Sequence, residues 1–185
     1  MPHALSAPAR LLAPPARSGT LLLIGMVLVG MGLGGCGNAA PDRGSPSNPP
    51  EFRRDGRLTF VSERGDSLAT IAIEIADTDP ARAQGLMYRR SMRYDRGMLF
   101  IFDEPSTDGM WMRNTPLPLD MIFVDADGEI INIVERTTPF SEETVAPEAP
   151  RKYVVEVRAG FVERHNLDDT ARITWRRLDA SDEAA

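Results

Sequence analysis

The chain has 185 residues, with 21 basic and 27 acidic side chains and a formal net charge of −6, which is room for one domain plus processing and linker segments. Arg10 and Arg17 are the only Asp, Glu, Lys or Arg residues among the first 35, so the remainder is more acidic than the whole, and a surface of that sign repels phosphate backbones. Nucleic acid is therefore not an expected partner. One cysteine, Cys36, and two histidines at opposite ends, His3 and His165, exclude an internal disulfide and an ordinary His-based zinc site.

In chain order, the first element is an export signal. Two arginines precede an apolar run over residues 21–33, which closes in Leu33-Gly34-Gly35-Cys36. A basic start, a short apolar stretch and small residues before a cleavage point form a secretory signal. The run is broken by Gly25, Gly30 and Gly32, and it falls short of the roughly 20 residues that a spanning helix needs. Leu-Gly-Gly-Cys resembles a lipobox, which implies cleavage before Cys36, lipidation of its thiol and acylation of the new amino terminus. Several acyl chains, at about 0.8 kcal/mol per buried methylene, give a durable anchor. Gly37 stands where an aspartate would often signal inner-membrane retention, which points to the outer membrane. Residues 1–35 are thus read as a lipoprotein signal peptide. Residues 36–57, rich in Pro, Gly, Ser and Asn, are read as the lipidated cysteine and a disordered tether. The folded domain is expected over 58–178, followed by an acidic tail, 179–185.

Within the domain, residues 58–62 and 68–76 read as strands, since Ile71, Ile73 and Ile75 alternate with Ala72 and Glu74. Asp77-Thr78-Asp79-Pro80 starts a brief helix, with an acidic cap and proline in the first turn, that ends near Gly85 or Met87. Residues 98–102, 109–113, 119–125 and 129–135 are four further strand candidates. Asp127-Gly128 makes a hairpin between the last two, and a plain hairpin fits Asp125 to Glu129 better than a calcium loop, because no glutamate stands at the twelfth position. Residues 152–158 alternate again, a short helix covers 161–165 and stops at Asn166, and residues 171–177 form a final strand. Seven or eight short strands with two short helices predict a mainly β domain, a sandwich or a partly closed barrel.

An ordered set of motifs carries a family resemblance: Gly85-Leu86-Met87-Tyr88-Arg89, Gly97-Met98-Leu99-Phe100, and Trp111-Met112-Arg113-Asn114-Thr115-Pro116-Leu117-Pro118-Leu119-Asp120. The set resembles the bacterial and archaeal family known as domain of unknown function 192, from about Phe60 to Trp175. The resemblance implies a β-sandwich-like fold with small helices and no established activity, so it supplies no catalytic residues. The chain departs from the family at Asp168-Asp169-Thr170, where a glycine-containing turn is usual.

Residues 111–120 are the most unusual stretch, placing an aromatic plate, a guanidinium, a carboxamide, a hydroxyl and a carboxylate together, stiffened by Pro116 and Pro118. Trp111, Arg113, Asn114, Thr115 and Asp120, joined by Arg89 as an anion clamp, are the candidate ligand-binding residues. The bland alternative is architectural: Asn114 caps a turn, Asp120 pairs with Arg113 or Arg89, and Trp111 fills the core. His165 ends a helix, where exposed carbonyls favour a cation. No nucleophile–base pair, P-loop or nucleophile elbow is present, and no cofactor is expected. The first reading is a lipid-anchored module of the cell envelope facing the periplasm, which holds a small polar ligand or an envelope protein. A second is an enzyme with Asp120 as general base and Arg89 or Arg113 stabilising an anion. A third is Cu(I) binding through the thioethers of Met110 and Met112.

Overall fold

Alternation along a strand decides which side of the sheet each residue serves. The computed structural model describes residues 51–179. In chain order these residues form β1 (Gly56–Val61), β2 (Ser67–Ala76), α1 (Asp79–Gln84), β3 (Arg96–Ser106), β4 (Leu119–Val124), β5 (Ile130–Val134), β6 (Arg151–Arg158), α2 (Phe161–His165) and β7 (Arg172–Arg177). The seven strands make one sheet in the order β5-β4-β6-β3-β2-β1-β7. β2 and β3 are parallel and every other neighbouring pair is antiparallel. The sheet curls until its edges meet at one end: Glu129 bridges Arg172, and the Ile173 N–H donates to Gly128 O at 2.8 Å. The architecture is a mainly β half-barrel, the second of the two forms expected.

The two faces of the sheet carry two separate cores. Ile71, Ile73 and Ile75 of β2 join Leu58, Phe60, Leu99, Val155 and Val157 inside the curl. α2 closes that core by laying Phe161 5.5 Å from the Phe60 ring. On the outer face, Met98, Phe100, Met121, Phe123 and Val154 form a second cluster, to which Leu86 after α1 and Met112 of a long connector also belong. α1 begins where its sequence foretells, but its cap is a hydroxyl and not an acid: the Thr78 hydroxyl accepts from the Ala81 N–H at 3.4 Å, Asp79 and Pro80 lie in the first turn, and the helix stops at Gly85 with φ +46°.

Gly97 shows why the strand at the centre of this fold carries a glycine. A Cβ built there would lie 2.8 Å from the Glu156 carbonyl oxygen and 3.0 Å from an Ile71 methyl. β3 and β6 approach so closely at this point that a methyl group has no room.

Several boundaries differ from expectation. Residues 109–113 form no strand. Met110 makes one bridge with Val145, and the connector is held by Met112 N–H to Ser141 O at 3.0 Å. The chain then turns through Asn114 at φ +58°, and Pro116 and Pro118 have no N–H for a ladder. The ordered domain also begins before residue 58: β1 starts at Gly56, Asp55 N–H donates to Ile73 O, and Arg53 N–H donates to Glu74 Oε1, both at 2.9 Å. The expected signal peptide, Cys36 and the rest of the expected tether to residue 50, and residues 180–185 of the expected tail lie outside the described residues.

The turns follow their side chains. Asp125 Oδ1 accepts from the N–H groups of Asp127 and Glu129, both at 2.9 Å, and Gly128 takes φ +88°, which closes the expected hairpin and occupies the would-be calcium ligand. Asp168 Oδ1 accepts from both the N–H and the hydroxyl of Thr170, at 3.0 and 2.6 Å, so a side-chain cap does here what a glycine would do by conformation. His165 stacks on Phe161 at 4.5 Å. Burial, with the neighbouring Arg164 charge, holds its pKa below the ordinary imidazole value, against the cation expected at the helix end.

Candidate functional site

One row of residues crosses the outer face of the sheet. Glu74 of β2 stands opposite Met98 of β3, Met98 opposite Glu156 of β6, and Glu156 opposite Met121 of β4. Residues in register share a face, so two carboxyl groups lie in the same apolar layer. Both are buried, Glu74 at 1 % and Glu156 at 3 % exposure. They are completed differently. Glu74 Oε2 lies 2.5 Å from Arg89 Nη2 in an ion pair whose angle falls outside hydrogen-bond geometry, and its other oxygen takes the Arg53 N–H. Among the described residues, the Glu156 carboxyl has no hydrogen-bond or ion-pair partner. An isolated charge in such a layer is too costly to keep. Burial pushes this carboxyl up to about 8, and no charged neighbour contributes to the shift.

Glu156 lies in the wall of a pocket of about 250 Å³. Residues 85–87, just after α1, form one side of it, and residues 109–111 with Arg113 and Thr115 form the other; Phe100 and Glu156 belong to the sheet beneath. Gly85 keeps this floor clear, because a Cβ there would meet the Phe100 ring at 3.2 Å. At the mouth, Trp111 is 50 % exposed and carries the Arg113 guanidinium 4.6 Å above its ring. Arg82 also lines the pocket, but its guanidinium bonds to Asp79 and Asp103 and to the carbonyls of Asp77 and Ile101.

The candidate residues from the sequence therefore divide. Trp111, Arg113 and Thr115 line the pocket. Asn114 shapes it from behind: its carbonyl accepts from the Tyr88 N–H at 2.8 Å and its amide reaches the Met87 sulfur at 3.8 Å. Arg89 and Asp120 do not converge on it. Arg89 is buried against Glu74. Asp120 pairs in register with Val157, one residue out of phase with Glu156, and so faces the other way. It is fully buried and accepts from the N–H groups of Arg136 and Val162, at 2.9 and 3.1 Å, which ties the loop after β5 and the first turn of α2 to the barrel. It is a brace, though it braces backbone amides and not an arginine, and it cannot serve as a general base in this pocket. The two thioethers also part: Met110 lines the pocket, while Met112 is buried and its sulfur accepts from the Thr137 hydroxyl at 3.2 Å. Among the described residues, no group of three or more His, Cys, Asp or Glu side chains is placed to hold a metal.

Comparison with known proteins sets this chain in a family. The model of the DUF192 family, described as an uncharacterized ACR, matches residues 60–175. The chain belongs to the DUF192 family. Among curated proteins, the UPF0127 protein PF1050 of Pyrococcus furiosus is 29 % identical over 115 residues, which is 58 % of this chain and 90 % of that protein. Among solved structures, a candidate transcription regulator from Sinorhizobium meliloti 1021 matches with a TM-score of 0.64 and 38 % identity, covering 68 % of this chain and 98 % of that one. A protein of unknown function from Novosphingobium aromaticivorans matches with a TM-score of 0.61 and 30 % identity, covering 64 % and 84 % of the two chains. The Sinorhizobium meliloti structure thus holds almost nothing beyond the matched part. The three motifs that carry the DUF192 resemblance each reach this pocket: residues 85–87 and Trp111, Arg113 and Thr115 supply sides, and Phe100 lies at the floor.

The unpaired carboxyl makes a definite pH prediction. Between the ordinary glutamate value of about 4.5 and the folded value of about 8, the folded protein holds a proton that the unfolded chain has released, so stability falls as pH rises through that window, by on the order of 5 kcal/mol. Urea midpoints measured from pH 5 to pH 9 are expected to decline for the wild type relative to Glu156→Gln, with the variant the more stable above pH 8. Parallel curves for the two proteins would refute the isolation of Glu156.

Proposed function

We propose that the domain is a binding module that takes a small ligand, part apolar and part polar, into the Glu156 pocket. The observation that carries this reading is a buried carboxyl left without a partner at the inner end of an opening whose mouth bears a half-exposed tryptophan. Native interiors complete their polar groups, so an incomplete one facing a cleft marks a place for something else. Apolar contact comes from Phe100, Leu86, Met87 and Met110, and Trp111 offers a stacking face. Substrate chemistry is not required by this reading, and the enzyme alternative built on Asp120 lacks its base.

A protein partner is the second reading, favoured by the surface beside the mouth. The exposed large hydrophobic residues of the described domain are Tyr88, Trp111 and Phe140. Their loops are joined by hydrogen bonds from Tyr88 N–H to Asn114 O and from Phe140 N–H to Thr115 O. Tyr88 and Phe140 hold positive φ, +65° and +60°, an uncommon backbone state for bulky side chains.

On sequence grounds we place the module at the cell envelope, tethered through a lipid on Cys36 and facing the periplasm, probed as follows. Cells fed labelled palmitate should incorporate it into the wild type and not into Cys36→Ala, with the variant released from the membrane fraction; a labelled or membrane-retained variant would exclude this anchor. The pocket itself is tested with 2-phenylacetamide, which carries one ring and one amide, titrated into residues 51–185 and followed by backbone amide NMR shifts. Shifts should concentrate on residues 85–87, 100, 109–115 and 156, and Trp111→Ala should weaken binding about tenfold. No binding, or shifts scattered over the surface, would overturn the assignment.

A further inference from the structure

The two glutamates of the outer-face row form an internal comparison. Glu74 is buried in the sheet and is matched by a cation that the chain supplies, the Arg89 guanidinium at 2.5 Å. Glu156 stands two strands away in the same row, about 10 Å across the sheet, equally buried and with no such cation. The charged groups that line the pocket from other elements are not free to supply it. Arg82 is committed to Asp79, Asp103 and two carbonyls, and Arg113 is turned onto Trp111 at the mouth; neither contributes to the shift of the Glu156 carboxyl, which burial alone causes. On the sheet, the flanking residues are Met98 and Met121, which offer no proton donor.

We propose that the pocket selects a protonated primary amine on a small apolar body, with Glu156 as the carboxylate that receives it. This rests on the binding reading above and names the ligand class for that site. Beside a neutral ligand Glu156 keeps its proton and offers one neutral hydrogen bond. An ammonium group instead draws out the carboxylate and pairs with it, as Arg89 does with Glu74, and charge-assisted contacts of this kind strengthen where water is thin. The walls suit the same ligand. Phe100 and Trp111 bring aromatic rings to the lining, a residue type that attracts cations, as Trp111 already does with Arg113 at the mouth, and a volume of about 250 Å³ admits a body of roughly one aromatic ring and a short chain.

Binding of the cation carries a proton balance. Free Glu156 is mainly protonated at pH 7 and becomes a carboxylate when the ammonium arrives, so its proton passes to the buffer. The ammonium keeps its own proton, and no bond beyond O–H is made or broken. Calorimetry at pH 7 in two buffers of different ionisation enthalpy reads this directly.

The experiment compares phenethylamine with 2-phenylethanol and 3-phenylpropionate, on residues 51–185, whose independent folding is supported by the relative that consists almost wholly of this domain. The expected result is binding of the amine at least tenfold tighter than the alcohol, no detectable binding of the carboxylate, and release of close to one proton per amine bound. In Glu156→Gln the amine should lose its advantage and bind no more tightly than the alcohol, with no proton released. Equal affinities for amine and alcohol in the wild type, or no proton released on binding the amine, would overturn the amine assignment while leaving the pocket standing. Failure of all three probes and of 2-phenylacetamide to reach the pocket would remove both.

Discussion

A carboxyl group can enter an apolar sheet face only with a cation or with a proton. The outer face of this half-barrel uses both solutions in one row. Glu74 is paired with Arg89, and Glu156, lacking a cation, is held in its protonated form by burial. The rest of the arrangement follows from that difference. The pair seals the side nearest α1 and draws the segment before β1 onto the sheet through Arg53. The solitary carboxyl lies where the covering connector leaves a gap, so the incomplete group and the opening coincide.

The half-barrel separates stability from recognition by the two faces of one sheet. Inside the curl, β-branched and aromatic residues pack without interruption, and Asp120 spends its carboxylate on two backbone amides that fix α2 and the loop after β5. Outside, methionines and two phenylalanines make an adaptable layer. Three loops cross-linked at Asn114 and Thr115 cover that layer incompletely. Bulky residues at positive φ in these loops present their rings outward, a conformation that the surrounding hydrogen bonds must hold in place.

Much of this was legible before any coordinates. The isoleucine alternation of β2, the Asp-Pro start of α1, the Asp127-Gly128 hairpin and the short helix ending at Asn166 each follow local rules and stand as read. Residues 109–113 misled because apolar side chains in a connector mimic a strand when they pack on a sheet face from above. Asp120 misled through parity: it sits in the same motif as Trp111, yet strand alternation turns it to the opposite side. Glu156 was overlooked for a related reason. In an alternating strand a charged residue reads as the solvent-facing member, and only the position of β6 between β3 and β4, beneath a covered face, buries it. A lone acid flanked by valines is the trace it leaves in the sequence.

The most direct measurement is the titration of the Glu156 side-chain carboxyl itself by carbon-13 NMR, with the resonance assigned by its absence in Glu156→Gln. The account requires a midpoint near 8 in the free protein. A midpoint in the ordinary glutamate range would mean that the group is solvated or paired, and the central claim would fall.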